Sequence, residues 1–334
     1  MNDLDRKLTR RDAGLFLGAA MAGLAGLPGL SRAQTAAMPR ILVGFPAGGS
    51  VDVSARRLAE AWRGRLAENV LVEQRVGAGG RLAVTALRDA PPDGGTLLVS
   101  PSSMFTIYPH VYRKLAYKPE TDAIAVSPMA NATCGFGVGP LVPATVKTMG
   151  DFAAWAKAHP EQSSYASPAA GAMPHFLGDQ FKRAAGIALT HVPYRGAAPG
   201  LQDLMGGQIA SGCFLLGDLL PYVAGGRVRI LGVTDHERSR FAPEVPTFAE
   251  QGFKGIIGVE TYGLFLPPKT PAAVVDKVFD LVRVALREKQ VVEGLAKLGC
   301  EPLAMAPADY ARRLAAERAS WGPIVAASGF SSDD

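Results

Sequence analysis

The chain has 334 residues, 48% hydrophobic and 19% charged, which is ordinary for a globular protein of about two domains. A net charge of +5 without a basic stripe excludes a nucleic-acid partner, which needs Lys and Arg gathered on one face. Cys134, Cys213 and Cys300 are odd in number and too widely spaced for a metal site, so no metal or cofactor is expected and the thiols read as small buried hydrophobes.

Residues 1–33 carry the pattern of an export signal. Arg10 and Arg11 form a twin arginine, 18 uncharged residues run from Ala13 to Leu30, and Ser31 and Ala33 supply a small-residue cleavage box. Five glycines and Pro28 argue against a permanent membrane anchor. Cleavage near Ala33 and a periplasmic location are expected, with the twin-arginine and general routes both open.

Beyond the signal, short apolar strands alternate with helical stripes. Strands are expected over 40–46, 69–76 and 96–100, with helices starting near Val51 and spanning roughly 81–90. Near-continuous apolar strands in this alternation predict an α/β fold with a parallel sheet covered on both faces. The pattern restarts with a short strand over 134–139 and a helix over 148–160 entered at Thr148. It continues with a strand over 163–168, a helix over 175–186 stopped by Gly186, and strands over 189–195, 210–216, 227–234 and 261–267. One long helical stretch is expected over 271–299, then a last helix with Tyr310, Leu314 and Trp321, and a frayed tail. Two α/β units in succession are most economically two lobes facing a cleft, with ligand beyond the carboxyl ends of the strands.

Four strand-to-helix turns are rich in Gly, Ala and Ser. The first, Ala47-Gly48-Gly49-Ser50, opens a helix whose unpaired N–H groups and dipole favour an anion. It lacks the Lys of a phosphate-binding P-loop, and the glycines at 77–80 do not match a dinucleotide fingerprint. Asp52 is placed to cap that helix and bind the turn. The other three turns are Ser100 with Ser102, the loop 165–176 with His175, and Tyr194-Arg195-Gly196. Together they describe a pocket with donors and little bulk, suited to a small anion. No nucleophile elbow or zinc-protease motif is present, so no catalytic residue is assigned.

The segments "GFPAGGSVDVSARRLAEAW", "VEQRVGAGG", "PPDGGTLLVS", "HVPYRGAAP", "LMGGQIA", "GGRVRILGVT", "VPTFAEQG" and "YGLFLPPKTP" resemble, in order, the signatures of the Bug, or TctC-like, solute receptors of tripartite tricarboxylate transporters. The resemblance covers about residues 40–300. It implies a two-lobed periplasmic-binding-protein fold of the type II kind, with 34–136 plus 256–334 as one lobe and 137–255 as the other. It implies a monomer that closes on a small carboxylate, mono- or dicarboxylate, and delivers it to membrane transporter subunits. Phe45 to Gly49 would hold one carboxylate through backbone groups and waters. Tyr194, Arg195 and Gly196, with Ser167, Ala170, Gly171 and His175, match the family's loops of the other lobe.

The chain departs from the family at Ala172, Met173 and Pro174, where a hydroxyl before the His is usual. It departs again at Ala210 and Phe214, where aspartates are common. Phe214 in place of an Asp argues for a plain carboxylate, aromatic ones included, over an amino acid, unless Asp218 substitutes. The competing functions are a ligand-loaded partner of a membrane sensor kinase and a periplasmic enzyme on the same scaffold. Neighbouring genes for membrane subunits, or turnover of a bound acid lost on changing His175, would separate them.

Overall fold

Ile41, Leu42 and Val43 are all buried, as a parallel strand covered on both faces requires. In the computed structural model, which describes residues 38–333, they lie in β1 (Arg40–Val43), and the export signal expected over 1–33 falls outside the described residues. α1 (Ser50–Ala61) follows, its apolar stripe of Val51, Ala55, Leu58 and Ala59 packed with Trp62 onto the sheet. β2 (Leu71–Gln74), α2 (Arg81–Arg88) and β3 (Thr96–Pro101) complete the first unit, and β1 pairs in parallel with both β2 and β3.

Two single-turn helices, α3 (Ser103–Thr106) and α4 (Tyr108–Val111), lead into β4 (Ile124–Val138), a strand of 15 residues. The sequence pattern marks only 134–139 of it, because Pro128 and a run of small residues hide the first part. Pro128 is tolerated because it sits at a register shift, where the ladder is already interrupted.

The second unit runs α5 (Met149–Ala158), β5 (Ser164–Ser167), α6 (Met173–Ala185), β6 (Thr190–Pro193), α7 (Ala197–Met205), β7 (Ser211–Leu215), α8 (Leu216–Val223) and β8 (Arg229–Val233). Thr148 starts α5 through a reciprocal capping box with Asp151, and Gly186 ends α6 in the left-handed conformation, φ 58°. The chain returns through β9 (Val259–Leu266), α9 (Ala272–Ala285), α10 (Lys289–Ala296), β10 (Cys300–Pro302) and α11 (Pro307–Ser328).

β4 ties the two units together. Its residues from Ile124 to Thr133 pair antiparallel with β9, and those from Cys134 to Val138 with β7 and β8. β9 also borders β3, while β5 lies parallel between β6 and β7. α11 covers both halves: Tyr310 and Leu314 pack with Leu42 and Phe265, while Trp321 and Val325 pack with Phe136 and Phe176.

Three features differ from expectation. The stretch 271–299 is two helices: Glu288 turns extended at ψ 129° to start α10 and is ion-paired with Arg65, and no Gly or Pro marks that break. The strand over 300–302 is too short to show periodicity. The tail is held, with Ser332 N–H donating to Val111 O at 2.9 Å and Arg113 N–H to Ser332 O at 3.1 Å. All three cysteines are buried and free.

Candidate ligand-binding site

The carboxyl ends of β1, β3, β5 and β6 lead into the loops that the sequence singles out. After β1, Phe45 is half-buried and Pro46 to Gly49 are exposed, with Gly48 at φ 84°. The first backbone bond of α1 runs from Val53 N–H to Gly49 O, 2.9 Å, so the N–H groups of Ser50, Val51 and Asp52 precede the helical ladder. Asp52, itself buried, accepts from Gly48 N–H at 2.9 Å, from Arg56 Nε at 2.9 Å and from Gln74 Nε2. Burial pushes its carboxyl up, but the bonds from Arg56, Gly48 and Gln74 outweigh it and hold the group below the usual carboxylate range. Asp52 therefore fixes the turn as an anion clamped from three sides, while Gly49 occupies the cap position without a side-chain bond.

The loop Gly77 to Gly80, dismissed as a dinucleotide motif, forms the wall beside this turn. Four successive residues have positive φ, including Ala78 at 47°, and a Cβ on Gly44 would lie 2.7 Å from Gly80 Cα. Tyr108 Oη donates to Gly79 O at 3.1 Å, and Arg81, bonded to Ala78 O at 2.7 Å, lies over the Tyr112 ring. The signal for this role was the run of glycines following a strand end.

The hydroxyls of Ser100 and Ser102 do not serve a ligand. Both residues are buried: Ser100 Oγ donates to Pro101 O at 3.2 Å, and Ser102 Oγ donates to Glu260 Oε1 at 2.9 Å. Ser103 N–H meets the same Glu260 oxygen at 3.0 Å, so these serines anchor a buried carboxyl of β9.

In the second unit, Ser167 Oγ lies 2.7 Å from His191 Nε2 and 3.0 Å from Ala169 O. Half-buried Ala170 leads to Gly171, φ 77°, whose N–H donates to His175 Nδ1 at 3.1 Å and so places that ring's proton on Nε2. A Cβ on Gly171 would lie 2.9 Å from Val111 Cγ1, which puts this loop against α4. Burial, with His191 and Lys182 adding to it, lowers His175 to about 3, and burial lowers His191 to about 4. Tyr194 N–H and Gly196 N–H bond to Ser167 O and Pro168 O, both at 2.9 Å, so the two loops form one surface with Arg195 exposed on it. Tyr194 Oη donates to Asp203 at 2.8 Å, and burial followed by this contact pushes it up to about 12.

Phe214 belongs to the interior. It is fully buried with Ala166, Leu201, Leu204 and Leu219, its ring filling the space over Gly200 and Gly212. It has no face toward a ligand, and the argument from Phe214 to an aromatic carboxylate loses its footing. Asp218, in the first turn of α8, is half-buried, and burial pushes its carboxyl up to about 6 while Ser50 opposes the rise.

Ser167 and His191 stand at the distance of a nucleophile and its base. Among the described residues no carboxylate orients His191, and an imidazole near 4 is a weak base at neutral pH. What the loops offer is backbone donors and small residues.

Comparison with known proteins bears on both fold and family. The structure of R. palustris Rpa4515 with adipate is 27% identical, with a TM-score of 0.82 over 88% of this chain and 98% of that one. MatC (Rpa3494) from Rhodopseudomonas palustris with bound malate is 28% identical, with a TM-score of 0.77 over 86% and 98%. The fold is that of a two-lobed periplasmic binding protein. Protein BugT of Bordetella pertussis is 30% identical over 317 residues, 95% of this chain and 96% of that one, and residues 54–330 match the tripartite tricarboxylate transporter family receptor, TctC. The chain belongs to the TctC family of solute-binding receptors. No helix among the described residues is long and apolar enough to cross a membrane.

Proposed function

We propose that this receptor is exported, closes two lobes on a small carboxylate, and delivers it to the membrane subunits of a tripartite tricarboxylate-type transporter. The lobes are 34–136 with 256–334, and 137–255, joined through β4 where its partners change between Thr133 and Cys134. The observation that carries the proposal is the turn into α1: Pro46 to Gly49 are exposed, Asp52 clamps them, and three N–H groups lie outside the helical ladder, a setting that favours an anion. Similar proteins crystallised with adipate and with malate support the ligand class. Phe45 to Gly49 hold one carboxylate, and the joined loops of Ser167 to Gly171 and Tyr194 to Gly196 meet the ligand from the other lobe. Closure follows from the ligand's greater affinity for the closed form.

A thermal-shift screen of adipate, malate, shorter and longer dicarboxylates, aromatic monocarboxylates and amino acids tests this. A true ligand at 100 times its Kd stabilises by about 2.7 kcal/mol, a clear rise in midpoint. A screen in which amides and esters shift the midpoint as much as acids would sink the carboxylate assignment.

A further inference from the structure

Gly329 ends α11 in the left-handed conformation, φ 69°, and turns the chain toward α4. Ser332 then bonds like a short strand beside Tyr112, its N–H donating to Val111 O and its carbonyl accepting from Arg113 N–H. The Arg113 guanidinium adds Ser331 Oγ at 3.2 Å and the Asp333 carboxylate at 3.4 Å. Between these anchors Phe330, half-buried, reaches the second unit. Its ring meets His175 edge-on at 4.8 Å and Phe176 at 6.2 Å between centroids. A Cβ on Gly171 would lie 3.5 Å from Phe330 Cε1 and 2.9 Å from Val111 Cγ1, so Gly171 fills a notch that the tail and α4 form together.

Those contacts fall on the loop from Ser167 to Gly171. Its start is tied down by the N–H groups of Tyr194 and Gly196, bonded to Ser167 O and Pro168 O. The next backbone bond, Ala172 N–H to Ala169 O, is long at 3.5 Å. Two side-chain bonds therefore shape the rest: Ser167 Oγ to Ala169 O, and Gly171 N–H to His175 Nδ1. The second of these requires one orientation of the His175 ring. That ring is packed by His191 and Phe176 from its own unit, and by Phe330 from the tail.

Resting on the receptor function proposed above, we propose that Phe330 is a positioning residue for ligand capture: it locks the His175 ring, and through it the Gly171 turn, so that the loop Ser167 to Gly171 meets the carboxylate ligand already formed. Phe330 acts through His175 and has no contact of its own with the ligand. A loop ordered before binding loses no freedom on binding, and that difference appears in the affinity. A ring that only fills the core would matter for stability and leave the affinity alone, so a Kd separates the two roles.

Titration calorimetry of Phe330→Ala with adipate, malate and a series of straight-chain mono- and dicarboxylates, beside NMR amide exchange at Gly171, tests the proposal. The expected result is a Kd weakened about tenfold against wild type, with Gly171 exchange faster by about the same factor. Phe330→Leu, which keeps apolar bulk against Gly171 and His175, should recover most of the affinity. Ser332→Pro removes the N–H that bonds Val111 and frees the tail by another route, so it should move both readings the same way. Leu314→Ala, which hollows the packing of α11 on Leu42 and Phe265, should lose stability and keep the wild-type Kd. A folded Phe330→Ala with wild-type affinity, or equal weakening in Leu314→Ala, overturns the role of Phe330 and leaves the receptor standing. If the wild-type protein binds none of these acids, the receptor function fails and this inference with it. Ser332→Pro decides the matter if Phe330→Ala does not fold.

Discussion

The imidazoles of His175 and His191 stack face to face, ring centroids 3.8 Å apart and planes 10° from parallel. Phe330 meets the His175 ring edge-on and Phe176 stacks against it, each at 4.8 Å between centroids. Two stacked rings in a buried setting cannot both carry charge, and both are held neutral in the fold.

Acid should therefore unfold this protein earlier than its carboxylates alone would. In the unfolded chain both histidines protonate near their ordinary pKa, while in the fold they resist until about 3 and 4. Their contribution to stability is complete above about pH 6.5 and is lost as pH falls from there toward 4, approaching about 1.4 kcal/mol per pH unit for each histidine. Urea unfolding at pH 7.5, 6.0 and 5.0 measures this, and His191→Gln should flatten the slope. A midpoint that does not move between pH 7.5 and 5.0 would contradict the neutral pair.

Asp52→Asn should loosen the first turn. The carboxylate that accepts from Gly48, Arg56 and Gln74 is replaced by a group that can accept at one atom only. A loss of about 1.5–3 kcal/mol in stability is expected, with a weaker carboxylate Kd, because charge-assisted bonds are the ones removed. Denaturant unfolding and calorimetry on one sample read both; unchanged affinity would show that the turn does not hold the ligand.

Phe214→Ala should cost about 3–5 kcal/mol, as for a large ring removed from a closed core. Carboxylate affinity of the folded protein should stay within twofold of wild type. A large change in ligand preference instead would return Phe214 to the site.

Gly217→Ala should be harmful out of proportion to one methyl group. Its Cβ has a backbone carbonyl in its place, so α8 must shift away from Leu298, at a cost of about 1–3 kcal/mol. Denaturant unfolding measures the loss, and a variant as stable as wild type would show that α8 can move aside freely.

Much of the fold was legible because its signals are local. The stripe of Val51, Ala55, Leu58 and Trp62, the cap at Thr148 and the stop at Gly186 each act within a few residues. β4 was half hidden because its strand character comes from its neighbours β9, β7 and β8, not from its own propensity. At the site, the turn at Gly48 and the loop near His175 follow from glycine and helix-start chemistry. The direction of a side chain does not: Ser102 points to Glu260, a partner more than 100 residues away, and Phe214 points inward by packing alone.

The reach of α11 over both halves bears on when the protein can fold. Val111 waits for Ser332, and Leu42 and Phe136 wait for Tyr310 and Trp321, all from the last part of the chain to be synthesised. Domains usually settle in order as they emerge from the ribosome. Here neither half has its full cover until α11 has been made, and contacts this distant in sequence form slowly. A truncated product should remain open to proteases and chaperones along its whole length, and quality control can act on the chain as a single unit.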